Sequence, residues 1–187
     1  GFDTFGKALP RATDIARQLL VLYLGLTVVF TAVYSALGME ALDAVVHGMS
    51  TISTGGFSTK DMSFTDYSGA IQYAASVFMI VSSLPYIRYV QLMNGQPGPL
   101  WRDAQARAYL RWLMTAVVFV AGWRVWSAGA PVETAFRESL LNLTSIISST
   151  GFFTEGFTGW GGVMLVVAFT LGVVGACSGS SASGLSV

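Results

Sequence analysis

A short phrase of serine, threonine, glycine and phenylalanine occurs twice in this chain, and its chemistry suits the binding of a cation. The copies are residues 53–59 and 148–154, so that matched residues lie 95 positions apart. Within a membrane, irregular backbone of this kind is tolerated only where it is buried or lines a wet cavity. Rings of backbone carbonyls in such places form cation filters. One glycine-rich turn is typical of many membrane proteins, but two copies in the same context favour a filter.

The composition indicates that the chain lies in a bilayer rather than in water. Of its 187 residues, 53% are hydrophobic and 11% are charged, and the mean hydropathy is +0.60. These values are too apolar for an ordinary soluble domain. A helix needs roughly 20 apolar residues to cross a hydrocarbon core of about 30 Å. Four stretches come near that length, at residues 15–37, 70–93, 108–128 and 161–177.

Each phrase follows a short pattern that is typical of a helix with one apolar face. Residues 39–52 precede the first phrase, but about 14 residues at 1.5 Å each reach only about 20 Å. A helix too short to cross must enter the membrane and return, and the partial negative charge of its C-terminal end favours a cation. The apolar positions are Leu42, Val45, Val46, Met49 and Ile52 in the first copy and Phe136, Leu140, Leu143 and Ile147 in the second.

The sequence therefore predicts an all-α membrane protein that contains two tandem pore-loop units. In each M1-P-M2 unit, a spanning helix (M1) precedes a re-entrant pore helix (P), a filter turn and a second spanning helix (M2). The first unit covers residues 1–95 and the second covers residues 96–187, because a cluster of helix breakers at residues 94–99 separates them.

Charge is distributed unequally, which predicts the orientation. Basic residues concentrate before the first span and in the link between the units, so the positive-inside rule places both in the cytoplasm. The filter phrases then face outward, where seven acidic residues raise the local concentration of cations. The basic residues are Lys7, Arg11, Arg17, Arg88, Arg102, Arg107 and Arg111, and the acidic residues are Glu40, Asp43, Asp61, Asp66, Glu133, Glu138 and Glu155.

At residues 50–59, 142–152 and 175–184, the chain resembles the Trk/Ktr/HKT superfamily of potassium transporters, and most of all the bacterial Trk membrane subunit. Members of that family place four M1-P-M2 units around one pore, and this chain resembles the second and third. The resemblance implies that potassium, or sodium, is the transported ion and that no cofactor is needed. It assigns the K⁺-binding filter backbone to Thr54, Gly55, Gly56, Phe57, Ser149, Thr150, Gly151 and Phe152.

The resemblance also implies a gate. In the family's third unit, a Gly/Ser-rich intramembrane loop breaks the last helix beneath the filter, and residues 175–184 match it, with Gly175, Gly179, Ser183 and Gly184 as gate residues. The family's loop usually ends in paired glycines, an aliphatic residue and a basic residue, whereas residues 184–186 of this chain are Gly, Leu and Ser. This composition also suits a flexible linker, but the apolar run before it favours a break at membrane depth.

The implied function is potassium uptake across the bacterial inner membrane, with the N-terminus in the cytoplasm and the chain as half of a four-unit transporter. The resemblance further implies a homodimer that docks a ring of cytoplasmic nucleotide-binding regulatory subunits. The sequence shows no phosphate-binding loop and no Ser/His/Asp or Cys/His set, so neither an enzyme nor a nucleic-acid partner is predicted. The alternative is a non-conducting membrane scaffold or assembly subunit, since two units alone cannot surround a pore.

Five single residues carry their own predictions. His47 is expected to pack behind the first filter rather than to bind a metal or relay protons, because no second ligand lies nearby. Arg88 and Arg124 are expected near span ends, where long side chains reach the interface. Asn142 is expected to hold the second filter by hydrogen bonds, with plain packing as the alternative. Cys177, the only cysteine, is expected in apolar surroundings.

Overall fold

The structure is a computed structural model that describes residues 2–154, with side chains from residue 13 onward, and eight further residues. The eight are Trp160, Val166, Val167, Thr170, Gly172, Cys177, Ser180 and Ser181. Within this part of the chain every regular element is a helix, which confirms the all-α prediction there. The helices are α1 (Phe2–Ala36), α2 (Ala41–Ile52), α3 (Gly69–Ser82), α4 (Tyr86–Met93), α5 (Gly98–Arg102), α6 (Ala104–Ala128) and α7 (Val132–Ile147).

Helix α1 contains the one unbroken helical stretch in the described residues that is long and apolar enough to cross a membrane. That stretch is Thr13–Ala36, which agrees with the predicted span at residues 15–37. The large apolar side chains of Leu20, Leu24 and Val28 lie one helical turn apart and are exposed. This apolar stripe is the side of α1 that suits contact with lipid.

The predicted span at residues 70–93 is not a single helix. Helix α3 ends at Ser82 and α4 begins at Tyr86, and their axes differ by 89°. Pro85 explains the break, because proline has no N–H and disfavours a helical conformation in the residue before it. The Ser83 hydroxyl also donates to a backbone carbonyl one turn back, a local bond that often bends helices. By length and composition the bent pair counts as one further candidate span.

The predicted span at residues 108–128 lies within a single helix, α6, which ends where Gly129 takes the left-handed conformation at φ 61°. Although α6 has 25 residues, it is less apolar than the other candidates and does not qualify as a span by composition. Arg111 and Arg124 lie near its two ends and lower its hydropathy. The fourth predicted span, at residues 161–177, lies largely outside the described residues.

Two buried apolar clusters hold the helices together. The first joins α1, α2 and α3, and it also includes Leu141 and Phe152, which come from the second half of the chain. The two halves therefore share one core. The second cluster joins α6 to α7 and confirms the predicted apolar stripe of α7; its members include Leu113, Val117, Leu140, Leu143 and Ile147.

An ion pair joins the chain before the link between the two halves to the chain after it. Arg88 Nε lies 2.7 Å from Asp103 Oδ2, so Arg88 holds a carboxylate rather than simply reaching toward the interface as expected. Asp103 also caps α6, because its Oδ1 accepts the Ala106 N–H at 2.9 Å. This N–H, together with Arg88, holds the pKa of Asp103 below its usual value. The resulting stabilisation is present above the unfolded pKa of about 4 and is lost as the pH falls through the folded pKa.

Replacing Asp103 tests the cap. We expect Asp103→Ala to lower the free energy of unfolding by about 1 kcal/mol, which is typical for loss of an N-cap. Asp103→Asn retains an acceptor for the Ala106 N–H and should lose less. Thermal unfolding in detergent at pH 7, followed by circular dichroism, measures both variants. Equal losses for the two substitutions would contradict the capping role.

Candidate ion-filter site

The first glycine turn ends α2 in a Schellman motif. After the capping residue Ser53, the N–H of Thr54 donates to the Thr51 carbonyl at 3.2 Å, and the N–H of Gly55 donates to the Ser50 carbonyl at 2.8 Å. These bonds pair carbonyls that a helix end otherwise leaves without partners. The backbone therefore leaves α2 in a defined direction.

Helix α7 ends in the same motif. The N–H of Ser149 donates to the Ile146 carbonyl at 3.0 Å, and the N–H of Thr150 donates to the Ser145 carbonyl at 2.9 Å. The capping residue Ser148 has φ −83° and ψ −7°, against φ −80° and ψ −5° at the cap of the first turn. The repeat in sequence is therefore also a repeat in backbone geometry.

Both turns hold a residue with a side chain in the left-handed region, where glycine is usual. Thr54 has φ +51° and Ser149 has φ +56°. A residue with a Cβ loses roughly 1–2 kcal/mol in this conformation, and a β-branched threonine is rare there. Gly56 and Gly151 follow at φ +71° and +90°. Backbone strain of this kind clusters at functional sites, so its presence at both turns supports the candidate site.

The two turns meet at Gly56. A Cβ atom added to Gly56 would lie 2.1 Å from the carbonyl oxygen of Thr150 and 3.6 Å from the Cα of Gly151. No side chain can occupy that space without moving the backbone of the second turn. A Cβ added to Gly151 would meet nothing within 4 Å. Glycine is therefore required at position 56 by a close approach between the turns and at position 151 by its φ angle alone.

The phenylalanines of the two turns have opposite surroundings. Phe152 is only 2% exposed, because its ring packs against Phe64, at 4.6 Å between ring centroids, and against His47 at 6.0 Å. Phe57, at the matched position of the first turn, is 74% exposed. The second turn thus inserts its aromatic ring into the first half of the chain.

Backbone pairing also joins the segment after the second turn to the loop after the first. The N–H of Phe64 donates to the Phe153 carbonyl at 3.0 Å, and the N–H of Phe153 donates to Ser63 Oγ at 3.2 Å. On the other side of this segment, the Thr154 N–H donates to Asn142 Oδ1 at 3.1 Å. The expectation that Asn142 holds this region by hydrogen bonds is confirmed.

His47 packs behind the first turn, as expected. It is fully buried, and its ring nitrogens lie 2.7 Å from the Asp43 carbonyl oxygen and 2.9 Å from Ser58 Oγ. Both nitrogens are therefore occupied by groups of the same half of the chain. Among the described residues, no group of three His, Cys, Asp or Glu side chains is arranged to hold a metal ion.

Part of the Gly/Ser-rich segment lies against the first turn. The Thr54 hydroxyl donates to the Ser181 carbonyl at 3.1 Å. Tyr86, the first residue of α4, donates to the Ile52 carbonyl at 3.3 Å and shares a hydrogen bond with the Ser181 hydroxyl. Cys177 is buried, which confirms the expectation for its surroundings. The predicted gate residues Gly175, Gly179, Ser183 and Gly184 lie outside the described residues.

Arg124 lies between α6 and α7, which corrects the expectation of a side chain that reaches toward the interface. Its Nη2 is 2.7 Å from Glu138 Oε2, and its guanidinium group lies 3.9 Å from the centre of the Trp160 ring. Charge-assisted arginine–carboxylate bonds are among the stronger hydrogen bonds in proteins. The pair ties the two helices together, so Glu138 acts as a structural partner.

Four polar residues near the turns carried no sequence prediction. They are Ser63, Gln72, Tyr86 and Arg137. Gln72 had a signal that could have been used, because it is an amide within the predicted apolar span at residues 70–93. Ser63, Tyr86 and Arg137 have no such local signal in the sequence, because each bonds to a partner 65 to 95 positions away in the chain.

Comparison with known proteins places this geometry in context. No model of a known protein family matches the chain. The chain is 35% identical, over 99% of its length, to the Trk system potassium uptake protein TrkI of Halomonas elongata. It is 32% identical, over 97% of its length, to the Trk system potassium uptake protein TrkH of Vibrio parahaemolyticus. The crystal structure of the potassium transporter TrkH from Vibrio parahaemolyticus matches 95% of the chain with a TM-score of 0.89 and 28% identity.

These comparisons confirm the resemblance to the bacterial Trk potassium transporters. Both curated relatives have names that describe potassium uptake rather than catalysis. The chain spans 38% of the length of each curated relative and 39% of the crystallised chain. Homology therefore covers nearly the whole of this chain but less than half of its relatives.

Alanine substitutions separate the close approach from simple backbone strain. We expect Gly56→Ala to destabilise the protein well beyond the roughly 1–2 kcal/mol that a left-handed alanine costs, because its Cβ would collide with the Thr150 carbonyl oxygen. Gly95→Ala is the matched control, since Gly95 has φ +79° and open space around it. Thermal unfolding in detergent compares the two. Equal destabilisation would contradict the contact between the turns.

Proposed function

We propose that this homologue of the bacterial Trk potassium uptake proteins forms part of a transporter that takes up K⁺ across the bacterial inner membrane. The observation that carries the proposal is that two turns of the same strained geometry meet at Gly56. The proposed K⁺-binding groups are backbone oxygens of two segments, which are Thr54, Gly55, Gly56 and Phe57 in the first turn and Ser149, Thr150, Gly151 and Phe152 in the second.

In this mechanism the protein replaces the water shell of the ion. Carbonyl oxygens of the two turns would coordinate K⁺ in place of water molecules, and no cofactor takes part. Both turns directly follow the C-terminal ends of α2 and α7, where the helix dipole carries partial negative charge that favours a cation. The Schellman bonds and the Asn142–Thr154 bonds support the proposal, because they keep the coordinating backbone from relaxing.

The proposal assigns the helices to two tandem M1-P-M2 units, at residues 1–95 and 96–187. Helix α1 would be M1 of the first unit, α2 its pore helix, and α3 with α4 its M2. In the second unit, α6 would be M1 and α7 the pore helix. The length of α2, 12 residues, supports a re-entrant role, because such a helix reaches only about 18 Å.

Matched positions on the two pore helices support the view that the chain is half of a four-unit transporter. Met49 on α2 is 56% exposed, whereas Thr144, which lies 95 positions later on α7, is fully buried. Val45 and Leu140 differ in the same sense. Positions that are buried on α7 are thus exposed on α2, as expected if a further unit covers them in the complete protein.

The wider assembly is proposed from the resemblance alone. The intact protein would be a homodimer in the membrane, with its N-terminus in the cytoplasm, and would dock cytoplasmic nucleotide-binding regulatory subunits. The exposed side chains of Arg102, Arg107 and Arg111 lie in and just after the link between the halves, on the side that the positive-inside rule assigns to the cytoplasm.

The gate is proposed at Gly175, Gly179, Ser183 and Gly184. Support comes from Ser181, which accepts a hydrogen bond from Thr54 and bonds to Tyr86. A segment held directly against the first turn is well placed to obstruct the exit of an ion. Tyr86 would then act as a latch, because its hydroxyl joins the pore helix to this segment.

Aspartate substitutions test the filter in the full-length protein reconstituted in liposomes. We expect Gly56→Asp and Gly151→Asp each to abolish K⁺ flux or change its selectivity radically, because a side chain and a charge would enter the coordinating turn. Gly95→Asp, outside the turns, should leave flux unchanged. Wild-type selectivity in both turn variants would overturn the filter. Absence of any cation flux in the wild-type protein would instead favour the non-conducting scaffold.

Removal of the Tyr86 hydroxyl tests whether this residue acts as a latch on the gate. Tyr86→Phe removes the bonds to Ile52 and Ser181, and we expect it to raise K⁺ flux about fivefold, the effect of roughly 1 kcal/mol. The control is Tyr89→Phe, which loses a bond to the Val81 carbonyl without freeing Ser181. Tracer uptake into liposomes measures both variants. An unchanged rate for Tyr86→Phe would show that Tyr86 does not restrain the gate.

A further inference from the structure

A continuous series of hydrogen bonds begins at Arg137 on α7 and crosses to the first half of the chain. The Arg137 guanidinium donates to Gln72 Oε1 on α3. The Gln72 amide nitrogen in turn donates to two carbonyls of the loop after the first turn, those of Phe64 at 2.9 Å and Tyr67 at 3.1 Å. Arg137 therefore acts on this loop through a single glutamine.

The series then returns to α7 through the segment that follows the second turn. Phe64 donates through its N–H to the Phe153 carbonyl, and Phe153 donates through its own N–H to Ser63 Oγ. The next residue, Thr154, bonds to Asn142 through both its N–H and its hydroxyl. Because Asn142 and Arg137 lie on the same helix, the series forms a closed ring.

The chemistry of the ring leaves Gln72 only one orientation. Its carbonyl oxygen faces a guanidinium, which can only donate, and its amide nitrogen faces two carbonyls, which can only accept. Gln72 is buried, so an amide turned the other way would leave buried groups without partners. The Gln72 side chain therefore holds α7 at a fixed distance from the loop that follows the first turn.

Arg137 is itself held from two further directions. Its Nε donates to Glu133 Oε1 at 2.8 Å. Its guanidinium also lies against Gly69 at the start of α3, where an added Cβ would be 3.1 Å from Nε. The absence of a side chain at position 69 lets the arginine approach α3 closely enough to reach Gln72.

We propose that Gln72 and Arg137 are positioning residues that set the distance between the two turns and thereby contribute to ion selectivity. The proposal rests on the proposed filter function. Neither residue would contact the ion. They act through Phe64, Phe153 and Thr154, which fix the exit of the second turn against the first half of the chain. A loosened ring would let the turns shift apart and admit ions of other sizes.

The test measures the ratio of K⁺ to Na⁺ flux, together with the total flux, for the full-length protein in liposomes. We expect Gln72→Met and Arg137→Met each to reduce the ratio about fivefold, which corresponds to a change of roughly 1 kcal/mol in the discrimination between the two ions. The double variant should be no worse than either single variant, since both break the same ring. Arg137→Lys should restore part of the ratio.

The chain offers a matched control in a second arginine–glutamine pair. Arg88 donates to Gln91 Oε1 at 3.0 Å, in the part of the chain near the link between the halves. Gln91→Met should leave the flux ratio unchanged. An unchanged ratio in Gln72→Met, or an equal change in Gln91→Met, would overturn the proposal.

Ser63→Gly decides the matter if the Gln72 variants do not fold. It removes the acceptor of the Phe153 N–H, while φ +51° at position 63 suits glycine. A wild-type flux ratio in this variant would overturn the proposal. If the wild-type protein shows no cation flux, the proposed function fails. The coupling of Gln72 and Arg137 through the ring is then measured by thermal unfolding. Strictly additive losses of Tm for Gln72→Met and Arg137→Met would refute the coupling.

Discussion

The arrangement of the site depends on the close approach between Gly56 and the carbonyl of Thr150. Because that oxygen occupies the space where a Cβ would lie, the two turns can come together only if residue 56 has no side chain. Once they are together, Phe152 reaches the aromatic surroundings of His47 and Phe64. The shared core of the two halves thus follows from a backbone contact at the candidate filter.

Hydrogen bonds between buried polar groups fix the position of the two turns relative to each other. An apolar interior makes an unpaired amide or guanidinium costly, so paired groups have few alternative positions. Gln72 faces donors on one side and acceptors on the other, and Asn142 bonds to the backbone N–H and the hydroxyl of Thr154. The strained φ angles of Thr54 and Ser149 are maintained by such surroundings, since the local chain alone would relax them.

Matched positions in the two halves of the chain differ in their exposure. Phe57 and Met49 are exposed, whereas their counterparts in the second half of the chain are buried. Two copies of one sequence pattern thus stand in different surroundings, because Phe152 packs into the first half of the chain whereas no described residue covers Phe57 to the same extent.

The sequence by itself determined the features that depend on short stretches of chain. The duplicated turns, the short amphipathic helices before them, the span in α1 and the buried surroundings of His47 could all be predicted from residue types and spacing. Pro85 was a local signal for the break between α3 and α4. Only the tertiary structure decided that Phe152 is buried and Phe57 exposed, that Arg124 pairs with Glu138, and that Gln72 bridges to Arg137. The contacts of Phe152, Arg124 and Gln72 join residues up to 105 positions apart in the chain, as between His47 and Phe152. A local sequence pattern encodes the conformation of its own backbone, but it does not encode which distant residues its side chains will meet.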